Sequence, residues 1–241
     1  MKKMLLLCMV LLWVSCKTVQ VNQLAQKTTK IVVELGTIGE VNKKLETTVF
    51  QTTAVPNYQQ KIRISANIVA FNNNTFNAYA KAATQQHQKI KVTYIDSVAN
   101  KPGYANLQIL DKVQLINELN AAHNKGVNAY LQNTKNNVLV TKVSAYFDSI
   151  DLQNISQAEE VYLINNKPQK YSLELVKNGK VFSNIDVSKA VPFAYRTSAF
   201  CWKKERGQIS IANLVKQNES CARETYRNVA KLNKKIDYFK Y

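Results

Sequence analysis

The chain has 241 residues, of which 46% are hydrophobic and 9% aromatic; this composition excludes a disordered polymer and suits one large domain or two small ones. Its 33 Lys and Arg stand against 16 Asp and Glu, a net charge of +17, which favours anionic partners such as lipid head groups, acidic glycans or nucleic acid. The lysines are scattered singly, the pattern of a solvated surface, and the wealth of Asn and Lys with only 6 Gly and 4 Pro matches the bias of an AT-rich genome.

In chain order, Met1-Lys2-Lys3 is a short cationic opening, followed by an uncharged run from Met4 to Val14. That run is too short for a membrane-spanning helix, which needs about 20 residues, and fits the apolar core of a signal peptide. Ser15 and Cys16 close it. The segment Leu12-Trp13-Val14-Ser15-Cys16 resembles a lipobox, the site cut by lipoprotein signal peptidases; where that family carries Leu, Val or Ile, three residues before the cysteine, this chain has Trp13. The resemblance covers the first sixteen residues and is to bacterial lipoproteins of the Bacteroidetes type. It implies that residues 1–15 are a signal peptide and that Cys16 becomes the lipidated first residue, with diacylglycerol on its thiol and a fatty-acyl (palmitate-type) group on its amine. Two or three acyl chains anchor stably where one binds reversibly. No acid appears between Cys16 and Glu34, and by the same resemblance the body would face the periplasm from the outer membrane. The alternative is an ordinary secretory leader with Cys16 a bystander. Cys8 leaves with the leader in either case.

Residues 16–30 are polar and without periodicity, and are expected to be a tether. The expected fold is α+β: one strand-rich domain over residues 31–220, with a few short helices and a basic, aromatic C-terminal tail at 221–241. Ile31–Leu35 reads as a strand punctuated by Gly36 and Gly39, and Glu40–Phe50 fits helix or strand equally. Lys61–Phe71 alternates and predicts a strand. Thr75–Gln86 carries Phe76, Tyr79, Ala80 and Ala83 at helical spacing, with Asn74 or Thr75 as cap. Lys89–Val98 alternates and predicts another strand, ended by Lys101-Pro102-Gly103.

Tyr104–Leu110 predicts a short strand, and Asp111 caps a helix carrying Val113, Leu115, Ile116 and Leu119, with Gly126 interrupting before Val127, Tyr130 and Leu131. Val138–Phe147 is the strongest strand pattern of the chain, followed by a short helix over Leu152–Ala158 and a strand at Val161–Ile164. Residues 171–185 predict a hairpin, because Asn178-Gly179 between two alternating runs is type I′ turn chemistry. Val191–Trp202 and Gln208–Val215 add two strands, and Arg223–Tyr241 is expected to be partly helical. A faint echo links Lys91–Val98 to Lys142–Ile150 and Val113–Asn117 to Val161–Asn165; chance similarity of amphipathic segments explains it better than duplication.

Cys201 and Cys221 are an even pair in a chain expected to be exported, which reads first as a disulfide; free thiols and a metal site are the rivals, the latter without C-x-x-C spacing or a nearby His. His87 and His123 both read as surface residues. No serine sits between elbow glycines, and no phosphate-cradling glycine pattern occurs. Glu159-Glu160 would point to opposite faces of a strand, and nothing singles out Asp96, Asp148 or Glu174 as a catalytic pair. No catalytic residue, cofactor or metal is therefore assigned. The distinctive surface is C-terminal: Lys203, Lys204, Arg206, Arg223, Arg227, Lys231, Lys234 and Lys235, interleaved with Phe200, Trp202, Tyr226 and Tyr238. Cations with aromatics can grip acidic glycans or lipid head groups, while an envelope address argues against nucleic acid. The expected function is that of a non-catalytic envelope protein that binds an anionic component or a protein partner or serves as a structural subunit, with a periplasmic hydrolase as the enzyme alternative.

Overall fold

The computed structural model describes residues 18–21, 23–44 and 47–233. The strands are β1 (Thr18–Val21), β2 (Leu24–Thr28), β3 (Ile38–Lys44), β4 (Thr47–Ala54), β5 (Ile62–Ala70) and β6 (Gly103–Ile109), then β7 (Asn137–Tyr146), β8 (Glu160–Lys167), β9 (Lys170–Lys177), β10 (Lys180–Asp186), β11 (Val191–Glu205) and β12 (Gln208–Lys216). The helices are α1 (Asn73–Gln85), α2 (Lys112–Asn120), α3 (Lys125–Asn133) and α4 (Ser149–Gln157). All twelve strands join one sheet of order β1-β2-β11-β7-β6-β5-β8-β9-β10, with β12 on β11 and the β3–β4 hairpin branching from β7. Neighbouring strands run antiparallel. The molecule is a single α+β domain that is mostly sheet.

Local chemistry places the elements. Asn178 and Gly179 both have positive φ, 51° and 69°, which is the type I′ geometry that joins β9 to β10 without splaying them. Arg206 and Gly207, at 47° and 82°, make the same kind of turn between β11 and β12. Asn72 caps α1 in a reciprocal box with Thr75 (2.9 Å each way), two or three residues earlier than expected. Asp111 and Asp148 cap α2 and α4 through the amides of Gln114 and Asp151, at 2.8 and 2.9 Å. Each cap satisfies an N–H that the helix itself leaves open. Gly39 is required by close approach: a Cβ there would lie 2.3 Å from the carbonyl oxygen of Gln51 on β4.

Both sheet faces are covered at the centre, so β7 is buried nearly throughout. The larger core gathers Leu107, Val143, Leu163, Leu173 and Leu175 with Leu115 and Leu119 of α2, Leu131 of α3 and Ile155 of α4. On the other face α1 lays Tyr79, Ala82 and Ala83 against Phe71, Tyr104, Tyr146 and Phe193.

Several expectations are corrected, and Ile31–Leu35 forms no strand. Residues 18–28 are not a tether but the β1–β2 hairpin; Val19 and Val21 are buried against α1, and Gln26 is fully buried, because β2 finds a partner in β11. Lys89–Val98 forms no strand. Val92 and Tyr94 spend their alternation packing on the α1 cluster, Lys91 donates its N–H to Tyr79 Oη at 3.3 Å, and no strand pairs with the segment. Residues 40–44 and 47–50 lie in β3 and β4, and the helix break falls at Ala121–Asn124 rather than at Gly126, which lies inside α3. The two echoes fall on unlike structure, since β7 and β8 correspond to irregular chain and to α2. Of the tail, the described part holds one short 3-10 turn, Val229–Asn233.

The buried phenols set an alkaline limit. Burial pushes Tyr104 and Tyr195 up to about 12 and raises Tyr58 and Tyr171 too, whereas an unfolded tyrosine ionises near ~10. The folded state therefore keeps protons that the unfolded state sheds, and this stabilisation is intact below about pH 10 and lost as pH climbs toward about 12. Urea midpoints followed from pH 8 to 12 should fall only above about pH 10, with tyrosinate absorbance rising together with unfolding and not before it.

Candidate functional site

A concavity of about 720 Å³ lies between the α3–β7 connection, the distal half of β11 and the C-terminal segment. It exists because the chain after β12 is tied back over β11. Cys201 and Cys221 form a disulfide, Cα to Cα 5.7 Å. One residue on, Trp202 and Tyr226 exchange backbone hydrogen bonds of 2.8 and 2.9 Å. Arg227 then donates from Nη2 to the carbonyls of Lys216 and Gln217 at 3.0 and 2.7 Å, and also to that of Glu219. Lys27 of β2 reaches in to Gln217 Oε1 at 2.7 Å.

The lining chemistry is one-sided. Lys27, Lys135 and Arg227 supply cations, seven Asn and Gln side chains supply amides, and no Asp or Glu lines the cleft. Phe200 and Trp202 border it but are 4% and 2% exposed, so they form its floor and not a stacking platform. Several amides are occupied: Asn137 bonds Thr53 and Thr134 at 2.8 and 2.6 Å, and Gln132 donates to Asn128 at 2.6 Å. Asn136 and Asn218 carry no side-chain hydrogen bond among the described residues and face the opening as free donors and acceptors.

The basic residues singled out from the sequence divide. Arg227 enters the cleft. Lys203, Lys204 and Arg206 stand instead at the β11–β12 tip, with Lys203 paired to Glu205 at 2.9 Å. Arg223 and Lys231 are exposed. Cys16, Lys234 and Lys235 lie outside the described residues. Lys27 and Lys135, which the cleft uses, carried no sequence signal beyond their charge.

A smaller recess of about 440 Å³ is lined by Asn57, His123, Asn124 and Asn165. His123 is not a free surface residue: its Nε2 lies 3.1 Å from Glu118 Oε2, and its side chain is 19% exposed. The same carboxylate oxygen accepts the Gln59 N–H at 2.6 Å, and Asn124 braces the corner through Asn57 and the Glu118 carbonyl. A carboxylate-oriented imidazole is general-base geometry, but no Ser, Thr or Cys lines the recess. No sequence pattern pointed to Glu118, since a carboxylate and an imidazole five residues apart share no helix face.

Comparison with known proteins finds no match. No family model, no curated relative and no solved structure corresponds to the chain. The site is therefore read from its own chemistry. The remaining acids do not converge. Asp96 is exposed and bonded to Tyr94 and Lys101, which hold its carboxyl below the usual range; Asp148 is a helix cap; Glu174 is paired with Lys61. Glu34 is pushed up by burial, helped by Asp186, beside a small apolar gap lined by Val33 and Phe147. Among the described residues no three His, Cys, Asp or Glu side chains group as metal ligands.

Proposed function

We propose that this protein is a lipid-anchored envelope protein that binds an anionic glycan or a comparable acidic envelope component in the cleft without transforming it. The observation that supports this reading is the pairing of three cations with amides in a lining free of carboxylates: amides offer both donors and acceptors to hydroxyls, and the cations select acidic substituents. The anchor fits the start of the fold. β1 begins at Thr18, so acyl chains on Cys16 would hold the sheet edge within about 7 Å of its attachment point, with no tether between.

Titrating polygalacturonate and an uncharged dextran of similar length tests the cleft. Binding should be confined to the acidic polymer and weaken with salt, and Lys135→Glu should weaken it by about tenfold or more. Equal affinity for dextran would contradict the reading. For the anchor, intact mass of the protein from its native host should show an acylated Cys16 at the N-terminus, and Cys16→Ser should release the body from membranes. The hydrolase reading rests on the Glu118–His123 pair alone; it requires cleavage products from the polymer that disappear in Glu118→Gln.

A further inference from the structure

On the sheet face that carries α1, the chemistry changes row by row. The first row is aromatic, Tyr146 on β7 and Tyr104 on β6, under the helix. The next row is neutral and polar: Ser144 and Asn106 face each other across the strands, with Gln26 laid over them. Asn106 Oδ1 accepts from Gln26 Nε2 at 3.4 Å and from Ser144 Oγ at 3.3 Å, and Ser144 Oγ donates also to Gln26 Oε1 at 3.1 Å. All three are buried.

The third row is Arg196, Lys142, Gln108 and Ser65, direct cross-strand partners on β11, β7, β6 and β5. Direct partners share a face, with strands about 4.8 Å apart, so two cations stand side by side in the middle of the sheet. Lys142 is only 5% exposed, yet neither it nor Arg196 makes a side-chain hydrogen bond or ion pair among the described residues. The ion pairs on the neighbouring strands are already complete: Glu160 is taken by Arg63, and Glu174 by Lys61. Burial, and then the charge of Arg196, both push Lys142 below the usual lysine range, and no carboxylate acts on it in the opposite sense. The Lys142 stem is buried, while its Nζ is not among the fully buried, unpartnered polar atoms of the described residues. An ammonium partly desolvated without a counter-ion costs stability, and a second cation across the strand adds to that cost. A sequence under no other demand would place an acid or an apolar residue in one of these two positions.

We propose that Lys142 and Arg196 together seat an oxyanion, the carboxylate, phosphate or sulfate group of a ligand, with the Gln108 amide beside it. The guanidinium presents a planar fork of donors and the ammonium a compact charge, a combination that grips one oxygen-bearing group from two sides. The site lies on the opposite face from the larger core and shares no residue with the Lys27–Lys135 cleft, so it stands whether or not the cleft binds glycans.

The test is titration of the folded protein, in chloride buffer of constant ionic strength, with inorganic phosphate, with glucuronate and with phosphatidylglycerol vesicles, read by calorimetry and by Tm. Saturable binding of at least one probe, with a rise in Tm, is expected. A response to phosphate or glucuronate assigns a soluble source, and a response to vesicles alone assigns a membrane lipid. Lys142→Met should weaken binding by about tenfold or more while unfolding, without probe, at an equal or higher Tm, because it removes a partly desolvated charge that stands beside a like charge. Arg196→Gln, at a half-buried position, provides the second variant and should weaken binding likewise. Absence of saturable binding for all three probes overturns the proposal. So does binding that survives both substitutions, and binding that fails only in Lys135→Glu would place the ion in the cleft instead.

Discussion

Opening the Cys201–Cys221 bridge should cost about 3 kcal/mol of unfolding free energy, the loop-closure value for a ring of this size, and should at the same time dismantle the cleft. The sequence separation is 20 residues, and the ring contains β12 and the turns on either side of it. Cys201 is fully buried on β11, so the bridge holds the tail from a rigid point. Beyond it, the Trp202–Tyr226 backbone pair, the Arg227 contacts and the packing of Val229 on the larger core keep residues 222–230 against the sheet. Urea unfolding with and without reductant measures the first effect. Limited proteolysis measures the second, with cleavage near residues 217–228 expected only after reduction. Polygalacturonate binding should fall with it, because the tail that carries Arg227 and Asn228 no longer closes the cleft. A reduced protein of unchanged stability and unchanged protease resistance would mean that the tail is held by its hydrogen bonds and the packing of Val229, without need of the bridge.

Phe71→Ala should be still more damaging, at about 3–5 kcal/mol. Phe71 is 1% exposed, and its ring lies 4.8 to 6.5 Å from those of Phe76, Tyr79, Tyr104, Tyr146 and Phe193. It is the hub through which α1, β6, β7 and β11 touch, and large rings around a vacated centre cannot all collapse into it. The same position starts α1: Asn72, the next residue, is its cap. A fall in Tm of about 10 °C or more is expected for a domain of this size. Val113→Ala is the contrast, because Val113 sits on a helix 71% exposed and its loss should stay within about 0.5 kcal/mol. Equal losses for the two variants would deny the aromatic cluster its place in the core.

Much of the secondary structure was legible from neighbouring residues. The Asn178-Gly179 turn, the Asp111 cap and the alternation of Val138–Phe147 each act within a few residues of chain, and each produced the element expected. The same local reasoning failed for Lys89–Val98. Its alternation is real, with Val92 and Tyr94 partly buried, but a strand also needs a partner to pair its backbone, and α1 occupies the face the segment packs on. Residues 18–28 failed in the opposite direction: with weak pattern and polar composition, they became strands because β11 offered an edge.

By itself the sequence determined a strand-rich α+β chain, the hairpin at 171–185 and the cysteine pair that forms the disulfide. Only the tertiary structure decided which charges meet. Lys27 reaches the cleft from β2, and Lys142 stands beside Arg196, because of strand order and register, which join residues far apart in the chain. Composition counts a surplus of cations; sheet pairing alone sets which of them are left beside another cation with no acid between.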